Sequence, residues 1–140
     1  MNSAMPLVSI IIVNYNGLNL LKKCISSLSE IDFLSYEIIL VDNNSNDSTI
    51  QYVTKNYPKI IIIELEKNKG FAEPNNIANK VAKGEYLLFL NNDTIVTKFF
   101  LTELLNSINK DKQIGICQSL LLKLDDSIDS SGDFIDKLGV

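Results

Sequence analysis

Four short runs of Ile, Val and Leu recur along this chain, at residues 7–13, 37–41, 60–63 and 86–90, and the segments between them carry apolar residues at helical spacing. A run that is apolar at every position, rather than at alternate ones, is the pattern of a strand covered on both faces. Strands of that kind separated by helices are joined in parallel, because a parallel neighbour needs a crossover long enough to hold a helix. The expectation is an α/β domain: a Rossmann-like, mostly parallel sheet flanked by helices, with right-handed crossovers.

The helices are individually legible. Leu18, Leu21, Ile25 and Leu28 mark an amphipathic helix after the first strand. Residues 42–48 are dense in turn and capping types, and Ile50, Val53 and Tyr57 then mark a helix that ends before Pro58. Pro74 suits the first turn of a third helix, with Ile77, Ala78, Val81 and Ala82 on its inner face up to Gly84. Phe100, Leu101, Leu104, Leu105 and Ile108 predict a fourth helix, and residues 114–122 read as a further strand. Residues 1–4 read as an expression-vector remnant ahead of a native start at Met5, residues 5–124 as the α/β domain, and the acidic, weakly patterned 125–140 as the start of another half. In open parallel sheets ligands bind beyond the C-terminal ends of the strands. Polar residues collect there: Asn14 and Asn16, Asp42 and Asn43, and residues 91–93.

Two absences restrict the chemistry. The chain contains no histidine and no arginine, so a Ser/His triad, a Cys/His pair, a histidine-bearing metal site and a bidentate arginine clamp on phosphate are all excluded within it. A diphosphate would have to be neutralised by backbone amides, lysines or a metal ion. The net charge of −4 comes without any lysine-rich run, which argues against nucleic acid as a partner. Cys24 and Cys117 lack metal-ligand spacing and read as buried reduced thiols, which fits a cytosolic compartment. The longest apolar run is far shorter than a bilayer span.

At each polar cluster two readings stay open from the residues alone. Asp42 at a strand end can accept a hydrogen bond from a nucleobase imide, or it can simply form an Asx turn. Asp93, with hard oxygen ligands beside it, can hold a divalent cation whose remaining ligands are phosphate and water, or residues 91–93 can be a polar turn. The loop 68–72 running into a helix start at 73–76 can sit against an anion, or it can be an ordinary connection. Of the lysines around it, only Lys69 reads as more than a solvated charge.

Together and in order, V-S-I-I-I-V-N-Y-N-G, E-I-I-L-V-D-N-N-S-N-D-S-T, N-K-G-F-A-E-P-N-N and Y-L-L-F-L-N-N-D-T resemble the family-two glycosyltransferases, in particular their bacterial rhamnosyltransferase-like branch, over residues 7–96. The resemblance implies the nucleotide-sugar-binding half of a GT-A fold and an inverting transfer to an acceptor hydroxyl. It also implies residue roles: Asp42 on the nucleobase, Asn14 at the base and ribose wall, Lys69 bordering the nucleotide, Asn76 at the start of the third helix, and Asn91 on a ribose or sugar hydroxyl. Asp93 would be the ligand of Mg²⁺ or Mn²⁺, in a motif whose first acid is replaced by Asn91. The implied partners are a UDP- or dTDP-sugar and a saccharide or lipid-linked acceptor. The implied setting is cell-envelope polysaccharide synthesis, in the cytoplasm or at the inner face of the plasma membrane. Glu73-Pro74 departs from the small residues many relatives carry there, and the family's general base is expected beyond the chain end, so this chain alone is expected to bind nucleotide without appreciable transfer. A dinucleotide-dependent oxidoreductase would need a Gly-rich first turn where residues 14–17 stand. A nucleotidyltransferase would also use strand-end carboxylates with a metal, and a non-catalytic module could dimerise through an exposed sheet edge.

Overall fold

The structure, a computed structural model, describes residues 5–123 and 125–131. The strands are β1 (Val8–Asn14), β2 (Tyr36–Asp42), β3 (Ile61–Glu64) and β4 (Tyr86–Asn91). The helices between and after them are α1 (Leu18–Leu28), α2 (Thr49–Asn56), α3 (Ala72–Asn79) and α4 (Phe100–Ile108). The four strands form one parallel sheet in the order β3-β2-β1-β4. The chain builds outward in one direction from β1 and then returns to its other side, so the switch point lies between β1 and β4. The expected α/β architecture is the one observed.

Side chains on a strand alternate between faces, and the register decides which rows share a face. Ile10 and Ile12 of β1 lie in line with Leu40 of β2 and with Leu88 and Leu90 of β4. This face packs against Leu21, Cys24, Ile25 and Leu28 of α1, Val53 of α2 and Leu101 of α4 in the larger core. The opposite face carries Ile11, Val13, Ile39, Val41 and Ile63 and packs against Ala78 of α3 and Ala82 beyond it. On β4 that second face is uncovered, with Leu87 and Phe89 exposed.

The first two helices start beside each other and share an acceptor. Neither has a side-chain cap from its own N-cap residue. Asp47 instead accepts from the Leu18 N–H through Oδ2 and from the Thr49 N–H through Oδ1, both at 3.0 Å. A carboxylate at two helix N-termini is favoured by both macrodipoles. Burial pushes the Asp47 carboxyl up, but the hydrogen bonds from Thr49 and Leu18 outweigh it and hold the group below its ordinary value. A depressed folded-state value contributes stability above the unfolded-state value, and that stability is lost as pH falls through the depressed one. Asp47→Ala is expected to destabilise the domain by about 1–2 kcal/mol at pH 7, and the gap from the unmutated chain should shrink in acid, as pH falls below the ordinary aspartate range. Urea unfolding at pH 7 and in acid checks it; a gap that widens in acid refutes the shared-cap account.

Three expectations are corrected. Helix α3 ends at Asn79, before Gly84 is reached, and Val81 is exposed rather than on the inner face. Residues 114–122 do not form a strand against the sheet. Only β5 (Leu121–Leu122) is extended, paired antiparallel with β6 (Ile128–Ser130), while Ile116 is 90% exposed. An apolar run becomes a strand only where a ladder partner receives it, and here it does not join the free edge of β4. Cys117, on that segment, is therefore partly exposed, whereas Cys24 is buried as expected. Residues 1–4 and 132–140, on which the outer domain boundaries rest, lie outside the described residues. Among the described residues no helix is long and apolar enough to cross a membrane.

Candidate functional site

A cleft of about 370 Å³ opens over the C-terminal ends of β1, β2 and β4, the side on which α/β folds hold ligands at the switch point. Its walls are Val13 and Tyr15 on and after β1, Asn43 after β2, Asn68, Gly70 and Phe71 before α3, and Asn91, Asn92 and Asp93 at the end of β4. Two larger hollows lie elsewhere, along the outer edge of β4 and beside Met5 and Leu34, and neither opens at the C-terminal ends of the strands. Asp93 is the single acid on the cleft wall. Amide side chains and two aromatic rings make up most of the rest.

Strand parity sorts the residues expected from the sequence. Val13 pairs in register with Asn91, and both line the cleft; Asn43 and Asp93, just past the ends of β2 and β4, line it as well. Asn14 pairs with Asp42, and these continue the even row that faces α1 and α2. Asn91 and Asp93 are both exposed and stand together in the cleft.

Asn14 does not reach the cleft wall. It is fully buried, its Oδ1 accepts from Asn92 Nδ2 at 2.7 Å, and its Nδ2 donates to Thr49 Oγ1 at 3.2 Å and Ser45 Oγ at 3.4 Å. Asp42 is also turned inward, at 3% exposure. Its Oδ2 accepts from the Ser45 N–H at 2.8 Å in an Asx turn, and its Oδ1 is buried without a protein partner. The picture of Asp42 and Asp93 opening into one cleft is therefore corrected: both stand at strand ends on the same edge of the sheet, but Asp42 is buried against its own turn and only Asp93 lines the cleft. Asn76 is exposed on α3 and does not line the cleft.

Two wall elements have roles that residue type alone does not assign. Asn43 fixes the far wall: its Nδ2 donates to Asn68 Oδ1 at 3.0 Å and to the Gly70 carbonyl at 2.8 Å, and its Oδ1 accepts from the Lys69 N–H at 2.8 Å. Gly70 takes φ +74°, a conformation that favours glycine. The Lys69 backbone is thus pinned to the wall while its Nζ pairs with Glu73 at 2.7 Å on the rim. The second element is Tyr15, half exposed on the near wall, with Phe71 exposed on the opposite one. Two aromatic residues lining a polar cleft are a signal that spacing alone does not carry.

Beneath the turn 91–93, the Cys24 thiol approaches the Asn91 carbonyl at 3.7 Å. Burial first, and the charge of Asp93 second, push that thiol up to about 12. A thiol so raised is inert and serves as packing. For a divalent cation the donor set is narrow, since among the described residues no cluster of three or more His, Cys, Asp or Glu side chains exists. One exposed carboxylate beside amide oxygens fits a cation that takes its remaining ligands from a phosphate and water, and it does not fit a cation held by protein alone.

The profile of glycosyl transferase family 2 matches residues 9–131. The chain is 38% identical over 95 residues to the poly(ribitol-phosphate) beta-glucosyltransferase of Bacillus spizizenii, covering 64% of this chain and 15% of that protein. It is 38% identical over 90 residues to the UDP-Glc:alpha-D-GlcNAc-diphosphoundecaprenol beta-1,3-glucosyltransferase WfaP of Escherichia coli, covering 64% of this chain and 36% of that protein. Among solved structures, S. aureus TarS 1–349 in complex with UDP-GlcNAc matches with a TM-score of 0.68 at 29% identity, over 81% of this chain and 37% of that one. The chain thus spans well under half the length of these relatives.

Proposed function

The chain belongs to glycosyl transferase family 2, and from that premise we propose that it is the donor-binding part of an inverting glycosyltransferase that seats a uridine or thymidine diphosphate sugar in the cleft over β1 and β4. The observation that carries this reading is the outward pair Asn91 and Asp93 at the switch point, sharing a polar cleft with Tyr15 and Phe71. The aromatic end would take the base. Asn91 would accept from a ribose or sugar hydroxyl, and Asp93 would face the diphosphate through Mg²⁺ or Mn²⁺. When bound, that cation would offset the negative charge that gathers on the departing diphosphate. The backbone of residues 68–70, held by Asn43, would close the far side, with Lys69 released from its exposed pair with Glu73 to approach a phosphate. An exposed pair of that kind is weak and easily exchanged.

Transfer would be a single displacement: a base removes the acceptor hydroxyl proton, the oxygen attacks the anomeric carbon, and the diphosphate leaves with inversion. No lining residue is placed for that base, so the role proposed for the described residues is to bind and orient the donor. The transferred sugar, hexose or rhamnose in a rhamnosyltransferase-like branch, and an envelope saccharide or lipid-linked acceptor at the cytoplasmic face, belong to this proposal. Calorimetric titration with UDP-glucose, UDP-GlcNAc and dTDP-rhamnose, with and without Mn²⁺, tests it. Metal-supported binding of one donor is expected; binding of NAD instead, or of no nucleotide, would overturn the reading.

The base-reading role expected of Asp42 passes in this proposal to Tyr15. Stacking on an aromatic ring is worth about 1–3 kcal/mol per base, so Tyr15→Ala should weaken uridine diphosphate binding by roughly fivefold to a hundredfold. Asp42→Asn keeps an oxygen for the Ser45 N–H, and affinity should stay within about threefold because the side chain is off the wall. A tenfold loss in Asp42→Asn with Tyr15→Ala neutral would return the base contact to Asp42.

A further inference from the structure

The turn that carries Asn91 and Asp93 is tied to β1 by an amide pair, Asn14 and Asn92, with no role in the donor contacts proposed for the cleft. Asn92 is the middle residue of the turn whose flanking members, Asn91 and Asp93, line the cleft; it lines the cleft as well, but its side-chain amide reaches back to donate to Asn14 Oδ1 at 2.7 Å. Asn14 and Asn92 each stand one residue past the last pair of the β1–β4 ladder, Val13 and Asn91. The far end of the Asn14 amide is anchored in α2 by Thr49 and in the Asx turn by Ser45, and the Asn14 main-chain carbonyl accepts from the Asn43 N–H at 2.8 Å. Gly17 closes the pair from the third side. A Cβ on it would lie 2.7 Å from Asn14 Oδ1 and well inside contact distance of Asn92 Nδ2.

We infer that the Asn14–Asn92 amide clasp, with Gly17 as the space it requires, is a positioning device that fixes the direction in which Asp93 presents its carboxylate. The inference rests on the proposed role of Asp93. A one-acid site has no second protein carboxylate to correct a misaimed first one, so the aim must come from behind. The clasp supplies it with uncharged groups, which leaves the cleft with a single negative charge. Both amides can turn over, because Thr49 and Ser45 present hydroxyls that donate as well as accept.

The test is uridine diphosphate binding with Mn²⁺ and with EDTA for the full chain and for Asn92→Ala, Gly17→Ala and Asn92→Asp, with the Asn92 side-chain amide resonances followed by NMR. Groups that orient a metal ligand typically govern roughly tenfold to a hundredfold in metal affinity. Asn92→Ala and Gly17→Ala should each lose at least about tenfold in the Mn²⁺-supported increment while metal-free affinity stays within about twofold. Asn92→Asp, which keeps an acceptor for a turned Asn14 amide, should retain the increment. Gly17→Ala should also shift the Asn92 amide resonances. An intact increment in Gly17→Ala despite shifted resonances overturns the positioning role alone, as does an equal fall in metal-free and metal-supported affinity. An unmutated chain that binds no better with Mn²⁺ overturns the Asp93 reading and the clasp's role with it.

Discussion

Asp93→Ala is expected to abolish the effect of Mn²⁺ on nucleotide diphosphate binding while leaving metal-free binding intact or slightly tighter. The two halves of that result come from one charge. Asp93 is the only acid among the residues lining the cleft, and Lys69, on the rim, is engaged by Glu73. Without a cation, a carboxylate facing a diphosphate repels it, so removing Asp93 relieves an unfavourable interaction. With a cation, the same carboxylate would be the only charged ligand that the described lining residues offer. Residues that merely orient a ligand already govern roughly tenfold to a hundredfold in affinity, so loss of the ligand itself should remove at least roughly a hundredfold, or about 2.7 kcal/mol. Calorimetry with Mn²⁺ and with EDTA reads both halves. A variant that keeps the Mn²⁺ increment, or that loses metal-free affinity to the same extent, is incompatible with Asp93 as the cation's ligand.

The central strands are legible because burial on both faces leaves a compositional mark: 7–13 and 37–41 are rich in Ile, Val and Leu, and the sheet places them side by side. The same property hides the orientation of the site. In a strand that alternates polar and apolar residues, parity is visible and the inward row can be named from sequence. In β1, Ile10, Ile11 and Ile12 are all fully buried although they point to alternate faces, so residue type does not tell whether Asn14 or Tyr15 turns to the ligand. Their chemistry assigns Asn14 and Asp42 to the cleft, and their register puts them behind it. Asn91 and Asp93 escape the ambiguity because the chain leaves β4 in an exposed turn there, and both line the cleft. The run 114–122 misleads for a related reason, since apolar composition records a tendency to be covered and not the partner that does the covering.

Gly84→Ala is expected to destabilise the domain by about 2–3 kcal/mol, a fall in Tm of roughly 10 °C, because the added methyl has nowhere to go. A Cβ at this position would stand 2.7 Å from the Val8 carbonyl carbon and 2.8 Å from Ser9 Oγ, and closer still to the Ser9 backbone nitrogen. Two of these are main-chain atoms of a central strand, which cannot swing aside as a side-chain tip can. The Gly84 N–H also donates to Ser9 Oγ at 2.8 Å, and Ser9 Oγ donates to Glu37 Oε1 at 2.6 Å, while the Lys83 N–H donates to the same carboxylate oxygen at 2.7 Å. That network ties the approach to β4 onto β1 and β2 just before the ladder begins with Val8 opposite Tyr86. A one-residue slip of β4 would exchange its faces and turn Asn91 away from the cleft, so this glycine at one end of the strand guards the chemistry at the other. Gly115→Ala, where an added Cβ meets nothing within 4 Å, is the control and should change stability by less than about 0.5 kcal/mol. Thermal unfolding of the two variants separates them; equal stability would mean that β1 yields at Ser9 and that the register is held elsewhere.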